Sequence, residues 1–160
     1  MNIDQMPAGR EMNLAIAELM GWPVSKDFRT DLGLDGGDNR SKWIDWLCDP
    51  SNYPYVLDVS DRLIVFRQPK QNGKTWSPWT DHNDAFELAD KMRELGFWWS
   101  SSYKAQLIDY KWQAGYSVTF RCVQAGVRGN HAASALELPV AICRAALGAA
   151  DSGSSLRKDK

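Results

Sequence analysis

Between Trp76 and Gly96 the chain reads WSPWTDHNDAFELADKMRELG, and this stretch constrains the backbone more than any other. Ala85, Leu88, Ala89, Met92 and Leu95 recur at helical spacing. Thr80 or Asp81 stands where a side-chain cap is wanted, Asp84 adds negative charge to the first turn, and Gly96 closes the segment. A helix with one apolar stripe must bury that stripe against a second layer, so the neighbouring sequence has to supply one.

Two further helices are predicted. In PAGREMNLAIAELMGW, from Pro7 to Trp22, the residues Ala15, Ile16, Leu19 and Met20 share a face, Pro7 suits the first turn and Gly21 suits a left-handed exit. LPVAICRAALGAA opens on Pro139 and places Val140, Cys143 and Leu147 together, its alanines allowing close approach of another layer. Between them, Asp61 to Pro69 has strand character and leads to the turn-forming pair Asn72-Gly73. Two more strands, Gln106 to Trp112 and Tyr116 to Val123, are predicted on either side of Gln113-Ala114-Gly115, with Val118, Phe120 and Cys122 facing the core. Residues 23–40 read as a loop, and a short helix is placed from Lys42 to Leu47 before Pro50 and Pro54. The expected architecture is therefore α+β: a helix–sheet–helix sandwich in which a small antiparallel sheet packs with three main helices. One domain covers residues 1–150, with a variable, loop-rich region at 23–75, and residues 151–160 form a disordered tail.

The 160 residues carry 19 basic and 20 acidic side chains, a formal charge of −1, so nucleic acid is not an expected partner. Cys48, Cys122 and Cys143 are odd in number and far apart, which suits reduced thiols and offers no zinc or redox pair. The first residues lack the basic start and apolar run of a signal peptide, and no stretch nears the roughly 18 apolar residues of a membrane span. A soluble intracellular protein without membrane contact is expected.

No complete catalytic or metal-ligand signature is present. Asp81, His82 and Asp84 are better read as a helix cap than as metal ligands, because residues two apart on a helix point in different directions. His131, alone in GVRGNHAAS, reads as an exposed loop histidine, and LDGGDNR from Leu34 to Arg40 reads as a turn cluster that fits neither a calcium nor a phosphate loop. Cys143 reads as a small buried residue. Arg10 lies in or next to the first helical turn, where the helix dipole disfavours a cation by about 0.3–1 kcal/mol. Either a structural partner or a bound anion must offset that cost, and Arg144, in an Ala-rich helix, calls for a structural partner too. The eight tryptophans come largely in pairs, Trp43/Trp46, Trp76/Trp79 and Trp98/Trp99, more than one small core requires. Aromatic rings beside arginine suit flat anionic ligands and protein hot spots. The candidate ligand-binding residues are accordingly Arg10, Arg40, Trp43, Arg67, Trp76, Trp79 and Arg128.

Three stretches, PAGREMNLAIAELMGW, WSPWTDHNDAFELADKMRELG and LPVAICRAAL, together resemble the phage ABA sandwich domain family, small proteins of tailed bacteriophages and prophages. The most specific pieces are Ala8-Gly9-Arg10-Glu11, Met20-Gly21-Trp22 and the run from Ala141 to Leu147, and with the Tyr116–Phe120 strand the resemblance covers about half of the chain. It implies helix–sheet–helix layering and a virus-related origin, and it implies no activity. Residues 23–72 are longer and more aromatic than the family leads one to expect. The resulting expectation is a non-enzymatic phage or prophage accessory protein in the host cytoplasm, acting in counter-defence without metal or cofactor. It would sequester a nucleotide-like signal or a host protein, and the surplus aromatics favour a homo-oligomer. An enzyme acting on a nucleotide or phosphoester, with His82 or His131 as base, and a virion assembly component are the alternatives.

Overall fold

The computed structural model describes residues 6–26, 44–46, 48–59, 62–69, 71–108, 110–123 and 130–155, the last three by their backbone alone. Helix α1 (Arg10–Leu19) is followed by β1 (Val24–Ser25), a 3₁₀ turn (Pro50–Asn52), β2 (Tyr55–Val59), β3 (Arg62–Phe66), β4 (Lys74–Trp76), α2 (His82–Glu94), β5 (Phe97–Ile108), β6 (Lys111–Cys122), β7 (Asn130–Ala135) and α3 (Leu138–Ser155). The content is α+β, as expected, but the arrangement of one small antiparallel sheet in a helix–sheet–helix sandwich is overturned. Among the described residues seven strands form two sheets, β1-β2-β3-β4 and β5-β6-β7, and the first contains a parallel pair, β1 with β2.

Alternation explains how both sheets reach one core. In the first, the pairings Val56↔Val65, Asp58↔Leu63 and Leu63↔Trp76 put these five side chains on the same face, and all are buried. In the second, Trp99↔Phe120, Val118↔Ala133 and Phe120↔His131 define the covered face. Met12, Ile16, Val56, Leu63, Trp76, Leu88, Phe120 and Ile142 belong to a single buried cluster drawn from both sheets and all three helices. Helix α3 stands at its centre: Ala141, Ile142, Cys143, Ala145, Ala146 and Ala149 are fully buried, as befits a helix apolar around most of its circumference. It packs against β6 and β7, and against α1 and α2.

Local signals account for the ends of the elements. Gly9 precedes α1 at φ 155°, a conformation L side chains rarely adopt, and Gly21 follows it at φ 73°. Asp81 caps α2, its Oδ1 accepting from the amides of Asn83 at 2.8 Å and Asp84 at 3.2 Å. Helix α3 continues to Ser155, through the first half of the segment expected to be a disordered tail; residues 156–160 lie outside the described residues. The region expected to be a loop at 23–40 contributes β1, with the remainder from 27 outside the described residues, and Ile44–Trp46 are helical as expected.

The second sheet departs most from the sequence reading. Strands β5 and β6 are twelve residues each and pair without a break from Phe97↔Cys122 to Ile108↔Lys111, so Gln113-Ala114-Gly115, expected to be a turn, lies inside β6. Gly115 has a different reason to be glycine: a Cβ there would collide with Ile108 Cδ1 and stand 2.7 Å from the Ala135 carbonyl oxygen. His131, expected to be an exposed loop residue, is half-buried in β7, its ring lying where a Cβ on Gly148 of α3 would go.

Candidate functional site

The residues that follow α1 build the floor of an open groove. After Gly21 turns the chain, Trp22 lies on the fully buried Trp76 with ring centroids 5.1 Å apart and planes at 51°. The guanidinium of Arg67, just beyond β3, lies 5.9 Å from the Trp22 ring centroid. Met20, Trp22, Pro54 and Phe86 form the apolar surface of this open groove of about 570 Å³. Its rim is one flank of α2, where Glu87, Asp90, Lys91 and Glu94 follow one another at helical spacing.

Charge on the rim is unevenly spent. Arg67 donates to Glu87 through Nη2 at 2.6 Å and Nε at 3.4 Å, and its Nη2 is 3.5 Å from Asp84 Oδ1. Lys91 is 3.4 Å from Glu94, while Arg93, which is not part of the lining, takes Asp90 at 3.1 Å. Each of the three carboxylates is therefore paired, Glu87 and Glu94 with the two cations of the lining and Asp90 with Arg93, which does not line the groove. On the other side of Arg67 a polar cleft of about 340 Å³ runs to the start of α2. There Asp81 already occupies the helix amides, and Asp84 accepts from the Ser77 amide at 2.9 Å. Burial raises the Asp84 carboxyl above its ordinary range; the Ser77 hydrogen bond opposes this, Asp81 reinforces it, Arg67 opposes it and Glu87 reinforces it.

Arg10 is part of a different construction. Its Nε and Nη2 fork onto Asp58 Oδ1 and Oδ2 at 3.1 and 2.5 Å, and the Asp58 side chain is only 3% exposed. Asp58 sits on the core face of β2, so the fork supplies the counter-charge that such a position requires and ties α1 to the first sheet. Arg144 likewise donates to the carbonyls of Met6 and Ser134.

Of the residues selected from sequence, Arg67 faces the groove and Trp76 supports Trp22 from beneath, too deeply buried to meet a ligand itself. Trp79 is half-buried against the core, Arg10 is engaged with Asp58, and Arg40, Trp43 and Arg128 lie outside the described residues. Trp22, Phe86, Glu87, Asp90 and Glu94 were not among them. The acidic residues were readable as the i, i+3, i+7 row opposite the apolar stripe of α2, but what they face depends on where Trp22 lands. His82 is exposed in the first turn of α2, 6.5 Å from the Phe86 ring. Among the described residues no cluster of His, Cys, Asp and Glu has the grouping of a metal site, and no helix is long and apolar enough to cross a membrane. Burial pushes the Cys143 thiol well above its ordinary range, which disfavours the thiolate needed of a nucleophile. Compared with known proteins, the chain matches no protein-family model and no curated protein sequence.

Proposed function

We propose that the chain is a non-enzymatic phage or prophage accessory protein that captures a host protein, in the manner of a counter-defence factor, through the Trp22 groove. The viral origin rests on the motif resemblance. The choice of a protein over a nucleotide-like signal rests on one observation: Arg67, the arginine in the groove, is already paired with Glu87 and so is committed before any phosphate arrives, while the lining itself carries three carboxylates to two cations, Asp90 being offset only by Arg93 from outside it. A phosphate would meet carboxylates there. A basic side chain of a partner, its aliphatic stem on Trp22 and Phe86 and its charge toward the rim, meets complementary chemistry.

Native mass spectrometry of the protein isolated from bacterial host cells, beside the double variant Asp90→Lys/Glu94→Lys, tests the reading. A co-purifying protein held by the wild type and lost from the variant is the expected result. A retained small molecule of nucleotide mass, lost on Arg67→Ala and kept by the charge-reversed rim, overturns it.

A further inference from the structure

The second sheet ends in a strand with no neighbour among the described residues. β5 pairs with β6 on one side only, and every residue from Ser100 to Ala105 is exposed. The register fixes which backbone groups are free. Val123 donates to the Gly96 carbonyl at 3.1 Å, and the hairpin closes on the pair Ile108↔Lys111, so the even-numbered residues of β5 exchange hydrogen bonds with β6. The odd-numbered ones, Trp99, Ser101 and Tyr103, turn their N–H and C=O groups to the open edge. Such an edge is usually shortened, bulged or guarded by charge. Here it is long, carries the single charge of Lys104, and is flanked by Trp98 and Tyr103, each 64% exposed.

The sequence of this edge is nearly palindromic about Ser101: Trp98-Trp99-Ser100-Ser101-Ser102-Tyr103-Lys104. We infer that a second copy of the chain occupies it, the two β5 strands pairing antiparallel across a two-fold axis at Ser101 to make one six-stranded sheet. In this register Ser101 meets its own copy as a doubly hydrogen-bonded pair. Trp99 lies opposite Tyr103 of the other copy on the helix-bearing face, and Trp98 lies opposite Lys104 on the other face, a cation over an aromatic ring. A shift of the axis to Ser102 places both aromatics opposite Ala105 and Gln106 and loses these matches.

The apolar face supplies a second, independent reason. Phe97 and Trp99 are covered within their own chain, Trp99 standing 6.2 Å from Phe86 of α2 and 6.4 Å from Phe120. The same row continues past the helices through Tyr103 and Leu107, which remain exposed. The two-fold lays that uncovered half beside α2 of the other copy, bringing Leu107 toward its exposed Leu95. The inference does not rest on the capture reading: it is carried by the edge of β5 and its register, and shares with the groove only Phe86, which covers Trp99 within its own chain.

Sedimentation equilibrium of the full chain is expected to give a dimer that dissociates on dilution. Lys104→Glu should weaken it several-fold and Tyr103→Glu should abolish it, each with an unchanged far-UV spectrum. In a Cys48→Ser background, mild oxidation of Ser101→Cys should yield a covalent dimer, because hydrogen-bonded antiparallel partners stand about 5.5 Å apart at Cα, within disulfide reach. Ser102→Cys should cross-link far less. A monomer at every concentration would hand the edge to a strand of some other protein and overturn the inference. So would cross-linking through Ser102→Cys in preference to Ser101→Cys, or a dimer indifferent to Tyr103→Glu.

Discussion

Two charged residues show how burial decides what a side chain is for. Arg10 starts a helix where a cation is disfavoured, yet its fork onto Asp58 compensates a carboxylate that would otherwise sit alone on the core face of β2. Arg10→Ala should lower stability by about 1–3 kcal/mol in urea unfolding, a range that allows for the partial exposure of the arginine, and Arg10→Lys should restore only part because a point charge lacks the fork. Equal stabilities for Arg10→Ala and the wild type would place the Asp58 compensation elsewhere. Asp84 presents the opposite sign. Its carboxyl titrates above the ordinary value when folded, so the folded chain binds more protons there than the unfolded chain, and stability from this group falls as pH rises through the raised value. Asp84→Asn keeps an acceptor for the Ser77 amide and removes the titration. The variant should therefore gain on the wild type at neutral pH, and the gain should shrink as the solution is acidified below the folded pKa. A constant difference across pH would show that Asp84 does not carry the effect.

At the level of elements, what could be read from sequence was whatever is decided within a few residues. The cap at Asp81, the stripe of α2 from Ala85 to Met92, the glycine after α1 and the alternation Val118-Phe120-Cys122 are local, and the structure contains them; Leu95, expected to end that stripe, lies past the helix and is exposed. The elements that were missed depend on distant partners. β7, NHAASA, is made of small residues without strand preference and is a strand because β6 pairs with it and α3 covers it. β1, only two residues long, is likewise held by its pairing with β2. The site shows the same division: the acidic row of α2 is local, while the Trp22–Trp76 stack that gives it a floor joins two ends of the fold. Gly115 makes the distinction testable. If it is glycine to admit Ile108 and the Ala135 carbonyl rather than to turn the chain, Gly115→Ala should cost about 1–3 kcal/mol, and Ile108→Val should make that cost smaller in a double-mutant cycle of urea midpoints. Strict additivity of the two substitutions would sink the packing account.

On the scale of the whole molecule, two sheets that share no hydrogen-bonded edge among the described residues meet in one core cluster to which α3 contributes most. Its alanines let β6 and β7 approach on one side while α1 and α2 close on the others, and the first sheet reaches the same cluster through Val56, Leu63, Val65 and Trp76. A groove assembled from α2 and the segments that follow α1 and β3 therefore inherits its geometry from a helix that does not line it. This coupling predicts that overpacking α3 disturbs regions it does not touch. Ala146→Leu inserts bulk at a fully buried position and should lower stability by about 1–3 kcal/mol. The loss should appear as one cooperative transition, with the midpoints from Trp emission and far-UV dichroism moving together. Hydrogen exchange should register it in the amides of β3 and β4 as well as in those of β6 and β7, because none of these strands can open fully while the common core stays closed. Protection lost from β6 and β7 alone, with β3 and β4 unchanged, would mean that the first sheet folds as a unit of its own and that the groove does not depend on α3.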